Sequence, residues 1–425
     1  MAEVRKVVLV GGSRIPFQRA YTGYRDKGNL DLMAAAIGGL VERFDLKGQA
    51  VGEVMGGAVL NHVRDFNLAR EAALNAGLSP ATPATSIQMA CGTSLQAALL
   101  LAGKIATGEI DSAIAAGSDS VSDSPVVVTD RLQHRLIDLS RARTIRERFR
   151  ALKGFSFAEL KPVAPSTAEP RTGLSMGEHC ELMAKEWAIA RADQDEWALR
   201  SHRLAAEAEA SGLLDDLIVP FSGVLRDNNV RAETSMAKLN DMKPVFDRRS
   251  GQGTLTAGNS TPLTDGAAAV LLASEAWARA RGLPIVATLR AGQVAGNDFA
   301  HGDGLLMAPT LAVSRLLDRL GLGFADFDLF ELHEAFAAQV LCTLKAFADP
   351  AYSRAHLGRA EPLGEIEETL INPMGSSLAY GHPFAATGAR ILALAGQQIA
   401  AGRQRALISV CTAGGMGVAA VLEAA

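Results

Sequence analysis

Residues 88–117 read QMACGTSLQAALLLAGKIATGEIDSAIAAG, and residues 382–411 read HPFAATGARILALAGQQIAAGRQRALISVC. Each stretch sets a reactive side chain, Cys91 or His382, just ahead of a helix rich in alanine and leucine. Each helix then breaks, at Thr107-Gly108 or at Ala401-Gly402, and a short apolar strand follows, ending at Ala116-Gly117 or at Cys411. The stretches Val51–Leu60 and Phe327–Phe336, each after a polar break, correspond in the same way. Such recurrence predicts two related halves, facing each other so that both reactive ends reach one cleft.

The runs Val7–Val10, Ala113–Ala116, Ala267–Leu272 and Ala406–Val410 are short and apolar with glycine close by, as expected of strands buried on both faces. Helical stretches at Leu95–Thr107, Gln194–Ala210 and Thr387–Ala401 alternate with them. That alternation predicts an α/β fold of layered sheets and helices. Between the halves, over Pro125–Arg248, the strand pattern gives way to basic, proline-containing and amphipathic segments, the mark of an inserted cap. The expected division is 1–124 with 249–277 as the first half, 125–248 as the cap, and 278–425 as the second half.

With 425 residues, 48% of them hydrophobic, the chain can bury the core of two or three packed units. A net charge of −4 provides no basic field, which argues against nucleic acid as a partner. Cys91, Cys180, Cys342 and Cys411 lie far apart, without the C-x-x-C pairs of a zinc site or the density of a disulfide scaffold, so free thiols in a reducing compartment are expected. The apolar run Val7–Val10 ends at Gly11-Gly12-Ser13, too early for a signal core. Leu95–Ala106 carries Lys104 and is too short to span a bilayer. A cytoplasmic location is the expectation.

Cys91 precedes a helix whose free N–H groups and dipole favour a thiolate, although a small buried cysteine suits a core equally well. His382 stands at a glycine-marked turn, where it can take a proton from a thiol or donate to an oxyanion; a structural histidine is the alternative. Cys411 enters Thr412-Ala413-Gly414-Gly415-Met416-Gly417 ahead of the strand Val418–Leu422, a tight glycine hairpin. These glycines open no helix and the chain has no G-x-x-x-x-G-K-[ST] loop, so the reading left is close backbone approach to a ligand.

Together these segments resemble the thiolase family. The likeness runs along the chain: Arg14-Ile15-Pro16-Phe17, the Cys91 segment, Ala116–Ser120, Ser175-Met176-Gly177-Glu178, Gly253–Thr261, Thr264–Ala269, His333-Glu334-Ala335-Phe336, Gly381-His382-Pro383 and the Cys411 hairpin. The resemblance implies a five-layered αβαβα body with 125–248 as a loop domain over a pantetheine tunnel, assembled as dimers or dimers of dimers. It implies that Cys91 is the acylated nucleophile, His382 its activator and Cys411 the acid/base at carbon. The backbone N–H groups of Cys91 and Ala413 would hold an oxyanion. Ser260 and Thr261 would contact pantetheine, with Met176 and Phe336 as tunnel walls. Coenzyme A is then a substrate; no metal or tightly bound cofactor is implied.

Most of the family has Asn at the place of His333, Cys-x-Gly-Gly-Gly at the place of Cys411–Gly415, and often His at Ser175. The first two departures, with the basic insertion, resemble the β-subunits of trifunctional fatty-acid oxidation enzymes. They imply degradation of 3-ketoacyl-CoA to acetyl-CoA and a shortened acyl-CoA, in fatty-acid β-oxidation, ahead of short-chain acetoacetyl-CoA synthesis. His333 would serve as donor or water holder. A ketoacyl synthase, with one cysteine and two histidines, is disfavoured by Cys411; a silent acyl-CoA or lipid binder is disfavoured by the intact pair of cysteines.

Leu132–Leu160 interleaves Arg135, Arg141, Arg143, Arg146, Arg148, Arg150 and Lys153 with apolar residues. A solvated helix pair fits it, as does a contact with an anionic membrane or a hydratase–dehydrogenase α-chain. Cys180 and Cys342 read as packing residues. Glu178, His179 and Glu181 read as solvent-facing helix positions, and His62 as a neighbour of the cleft by analogy.

Overall fold

The apolar runs do form strands, and their two-residue period decides which interior each side chain enters. The computed structural model describes residues 4–425. Its strands are β1 (Val7–Arg14), β2 (Gln18–Arg19), β3 (Glu53–Gly57), β4 (Ala84–Ser86), β5 (Ser112–Asp119), β6 (Thr264–Ser274), β7 (Ala287–Gly296), β8 (Leu329–Leu332), β9 (Arg405–Thr412) and β10 (Met416–Glu423). In β1, Val7 and Leu9 enter one apolar cluster while Val8 and Val10 enter another. In β9, Ile408 and Val410 face the first of these clusters, and Leu407 faces a third.

The order across the sheet is β4-β3-β5-β6-β1 and then β7-β10-β9-β8, with β2 beside β6. Read outward from the join, β1, β6, β5 and β3 match β7, β10, β9 and β8, and the strand directions match too: two antiparallel pairings followed by one parallel pairing in each half. The recurrence seen in the sequence is therefore a repeat of topology. The halves join through a short antiparallel contact, Val8↔Thr288 and Leu9↔Ala287.

Helices fill the spaces. Helices α1 (Asn29–Arg43) and α2 (Leu68–Asn75) cover the outer face of the first half. Between the halves lies α3 (Thr93–Thr107). Residues 125–248 hold α4 (Asp130–Arg141), α5 (Ile145–Leu152), α6 (Met176–Glu186) and α7 (Arg191–Ala210). The outer face of the second half is covered by α8 (Ala308–Leu320) and α9 (Ala337–Ala348), and α10 (Thr387–Ala400) joins α3 in the middle. The layers run helix, sheet, helix, sheet, helix. Helix α10 is buried almost all round, as an apolar helix between two sheets must be.

One glycine sets the spacing of this middle layer. A Cβ on Gly388 would sit 2.5 Å from the Leu95 nitrogen, so only glycine lets the N-terminal ends of α3 and α10 touch. There Ala389 N–H donates to Ser94 Oγ at 2.8 Å. The contact brings the residues ahead of both helices, Cys91 and His382, to one place. Among the described residues no helix is long and apolar enough to cross a membrane.

Candidate active site

The turn that carries Cys91 is held in an uncommon conformation. Ala90 has φ +44, outside the usual range of a residue with a side chain, and Thr93 clamps it. Thr93 Oγ1 donates to the Ala90 carbonyl at 2.6 Å and accepts from Met89 N–H at 2.9 Å. From this turn Cys91 Sγ reaches His382 Nε2 at 3.0 Å. His382 is fixed from behind by Thr387 Oγ1, 2.6 Å from Nδ1, on the first turn of α10.

His333 follows β8 and packs against His382, the ring centroids 4.2 Å apart and the ring planes tilted by 46°. Its Nδ1 lies 2.8 Å from Ser377 Oγ, while Nε2 is buried without a partner. Single ligand atoms of Cys91, His333 and His382 lie within 4.8 Å of one another, so a soft divalent cation would find three ligands here, at the expense of the free thiol. Cys411, the penultimate residue of β9, is buried and close enough to Cys91 that charge on one thiol opposes charge on the other. The hairpin after it turns through Gly414 and Gly415 at φ +76 and +66.

Burial dominates the electrostatics. It pushes the Cys91 thiol up to about 12, Asp119 adding to the shift, while the backbone N–H groups of Ala413 and of Cys91 itself pull it back. Burial, helped by the Arg390 charge, takes His382 down to about 3. His333 is held well below the usual histidine range by burial, His382 and Arg390. The resting pair is a neutral thiol hydrogen-bonded to a neutral imidazole.

Of the other positions singled out by the sequence, Ser260 and Phe336 pair across a β-bridge, and Thr261 N–H and Oγ1 both donate to the Ala335 carbonyl at 3.1 Å. Ser260 Oγ is buried without a partner. Phe336 meets Phe246 edge-on at 5.8 Å, and Met176 packs on the same cluster. His62 bonds to the backbone of Asp123, Nε2 to carbonyl 2.5 Å. Cys180 and Cys342 are buried in the cluster that contains Phe336 and Cys411.

The expectation that Glu178, His179 and Glu181 face solvent is wrong for two of them. Glu181 is 2% exposed, because its carboxylate accepts from the N–H groups of Thr254 and Leu255 and from Thr254 Oγ1. His179 is buried against Phe299 and bonds to Thr172 Oγ1 at 2.7 Å. Glu178 closes a capping box with Ser175 at the start of α6.

Sequence reasoning missed the residues that hold the site. Asp119 accepts from Val59, Leu60 and Ala385 N–H groups and so ties β5 to the turn after His382. Glu334 accepts from Trp197, Ser201, Asn372 and Leu378, which fixes the chain next to His333. Glu169 accepts from Gly414 N–H at 3.0 Å, gripping the Cys411 hairpin. Their partners lie far away in sequence, and no local pattern announces them.

The fold has a close counterpart in the solved Bacillus anthracis acetyl-CoA acetyltransferase, with a TM-score of 0.84 and 28% identity over 100% of both chains. Curated relatives include the 3-ketoacyl-CoA thiolases of Yersinia pestis (strain Pestoides F) and Yersinia pseudotuberculosis, each 40% identical over 98% of this chain and 97% of their own length. The thiolase N-terminal domain matches residues 7–276 and the thiolase C-terminal domain residues 283–424. With both domains present in order over nearly its whole length, the chain belongs to the thiolase family.

Proposed function

We propose that this protein is an acyltransferase that uses coenzyme A to cleave 3-ketoacyl-CoA into acetyl-CoA and an acyl-CoA shortened by two carbons. The observation that carries the reading is the 3.0 Å contact between the buried Cys91 Sγ and His382 Nε2, beside the unpartnered Nε2 of His333 and near the buried Cys411 thiol. His382 takes the Cys91 proton as the sulfur attacks the 3-keto carbon. The bond between C2 and C3 breaks, its electron pair passing to the acetyl-CoA enolate. His333 and His382 face the enolate oxygen, and Cys411 gives its proton to C2. Coenzyme A then attacks the acyl-Cys91 thioester, whose oxyanion sits against the N–H groups of Ala413 and Cys91. Before that attack the His382 imidazolium returns its proton to the Cys411 thiolate; neutral His382 then takes the coenzyme A thiol proton and passes it to Cys91 as the acyl group leaves. Ser260, Thr261, Met176 and Phe336 line the approach of the pantetheine arm. The same steps run backward form acetoacetyl-CoA. A thiolysis assay over a chain-length panel of 3-ketoacyl-CoA substrates tests the reading, and absence of CoA-dependent cleavage at every length overturns it.

We propose a homodimer built on the free edge of β4. Support comes from Val63 and Phe66, 99% and 95% exposed, on a loop tied to that edge through Asn67, which bonds to Ala84 and Ser86. Such apolar residues and an unpaired edge call for a cover. Val63→Glu with Phe66→Glu is expected to shift gel-filtration elution from dimer toward monomer. Unchanged elution would remove this surface from the interface.

The cap suggests a second contact. Ile145 and Phe149 are 73% and 72% exposed on α5, beside the exposed Arg146 and Arg150, a pairing that suits an anionic membrane surface better than water. Neutralising Arg143, Arg146 and Arg150 together is expected to weaken sedimentation with anionic vesicles in a salt-dependent way while leaving thiolysis of short substrates nearly unchanged. Loss instead of a co-purifying hydratase–dehydrogenase chain would reassign the patch to a protein partner. A large rise in the coenzyme A requirement would make it a ligand site.

A further inference from the structure

Which nitrogen of His333 carries the hydrogen decides what this ring can offer an enolate. Counting donors answers the question. The Arg390 guanidinium has donors and no acceptor, and its Nη2 gives a hydrogen bond to Ser377 Oγ at 2.8 Å. The other partner of that hydroxyl among the described residues is His333 Nδ1, also at 2.8 Å. A serine hydroxyl has one hydrogen. Since the Arg390 bond uses an oxygen lone pair, the hydrogen is free to point at Nδ1. Were the hydrogen on Nδ1 instead, the Ser377 hydroxyl hydrogen would lie buried with no acceptor among these partners, whereas Nε2 has no partner in either tautomer.

We infer that Arg390 and Ser377 act as a relay of positioning residues that holds His333 in its Nε2–H tautomer, so that a single unpartnered N–H is presented beside Cys91 and His382. The inference rests on the thiolytic reading for its chemical use: that N–H donates to the acetyl-CoA enolate oxygen as the carbon–carbon bond breaks. The relay is itself well anchored. Arg390 is buried on α10, reaches Ser376 Oγ at 3.3 Å, and lies over the Tyr380 ring at 5.8 Å. The His333 backbone is pinned by its N–H bond to the Ser409 carbonyl at 2.8 Å. Burial and the nearby Arg390 charge keep the ring neutral, so one nitrogen must lack a hydrogen and the relay selects which.

The role differs from general support of the fold, because only one half-reaction needs the enolate donor. Transthioesterification of Cys91 between acyl-CoA and free coenzyme A uses the Ala413 and Cys91 N–H groups and leaves His333 idle. Ser377→Ala is therefore expected to lower kcat for 3-ketoacyl-CoA cleavage by about 10- to 100-fold, somewhat less than loss of a whole oxyanion donor. It should leave transthioesterification and the KM for coenzyme A near wild type. Ser377→Thr, which keeps the hydroxyl, is expected to restore cleavage. Histidine-selective nitrogen-15 NMR, with His333 assigned by a His333→Gln variant, reads the tautomer directly. The expected result is a protonated Nε2 in the wild type and a mixture in Ser377→Ala. A wild-type ring protonated at Nδ1, or a Ser377→Ala protein that cleaves as fast as wild type, overturns the relay. A wild type that cleaves no 3-ketoacyl-CoA would defeat the thiolytic reading, and the NMR result would still report on the tautomer.

Discussion

Cys91→Ala is expected to lower thiolysis by about 10⁴-fold or more, the scale of losing a catalytic nucleophile. It should also abolish the acyl mass adduct that acetyl-CoA or a 3-ketoacyl-CoA leaves on the protein when free coenzyme A is withheld. Acylation needs no second substrate, so the adduct should accumulate on the wild type and map to the peptide containing Cys91. Cys180 and Cys342 are equally free and buried, which makes them internal controls. An adduct on either of them, with turnover surviving Cys91→Ala, would end this mechanism. The neutral resting pair adds a pH signature. Because the thiol is pushed up to about 12, alkylation of Cys91 in the substrate-free protein should be slow at neutral pH and keep rising through the alkaline range.

Cys411→Ala is expected to split the two half-reactions. Cleavage of 3-ketoacyl-CoA should fall by about 10²- to 10⁴-fold, the usual weight of general acid–base catalysis, while transfer of an acyl group between coenzyme A and Cys91 is largely spared. Only cleavage moves a proton at carbon. Rapid-quench measurement of both rates on one preparation decides the matter. Equal losses with the fold intact would mean that Cys411 acts on acylation or binding.

The parts of the site that could be read from the sequence are those whose geometry is local. A reactive residue ahead of an apolar helix, a glycine at φ > 0 in a tight hairpin, and a strand sorted by alternation all carry their cause within a few neighbours. Cys91, His382 and Cys411 stood out for that reason, and the doubled topology did because its two copies share a pattern. The relay through Ser377 was invisible because serine ahead of a histidine has no distinctive spacing, and its meaning depends on where Arg390 comes to rest. Asp119 looked like one more polar residue at a strand end; its role depends on Ala385, 266 residues away. Glu181 misled for a related reason. A helical period tells which face is apolar, but it cannot tell when a carboxylate will be buried against the backbone N–H groups of another segment.

The pairing order of the first half bears on how a nascent chain survives its own synthesis. Strand β6 lies between β1 and β5, pairing Val7 with Ser274 and Ser112 with Ala273, yet it follows the entire cap in sequence. Until those residues leave the ribosome, β1 and β5 have a vacant slot between them and both present unpaired edges beside apolar faces. The second half repeats the arrangement, with β10 completing the space between β7 and β9. Contacts this distant in sequence close slowly and leave sticky intermediates. Production of the protein should therefore depend on chaperone capacity and on translation speed across residues 125–263, even where a mutation there leaves the finished structure unchanged.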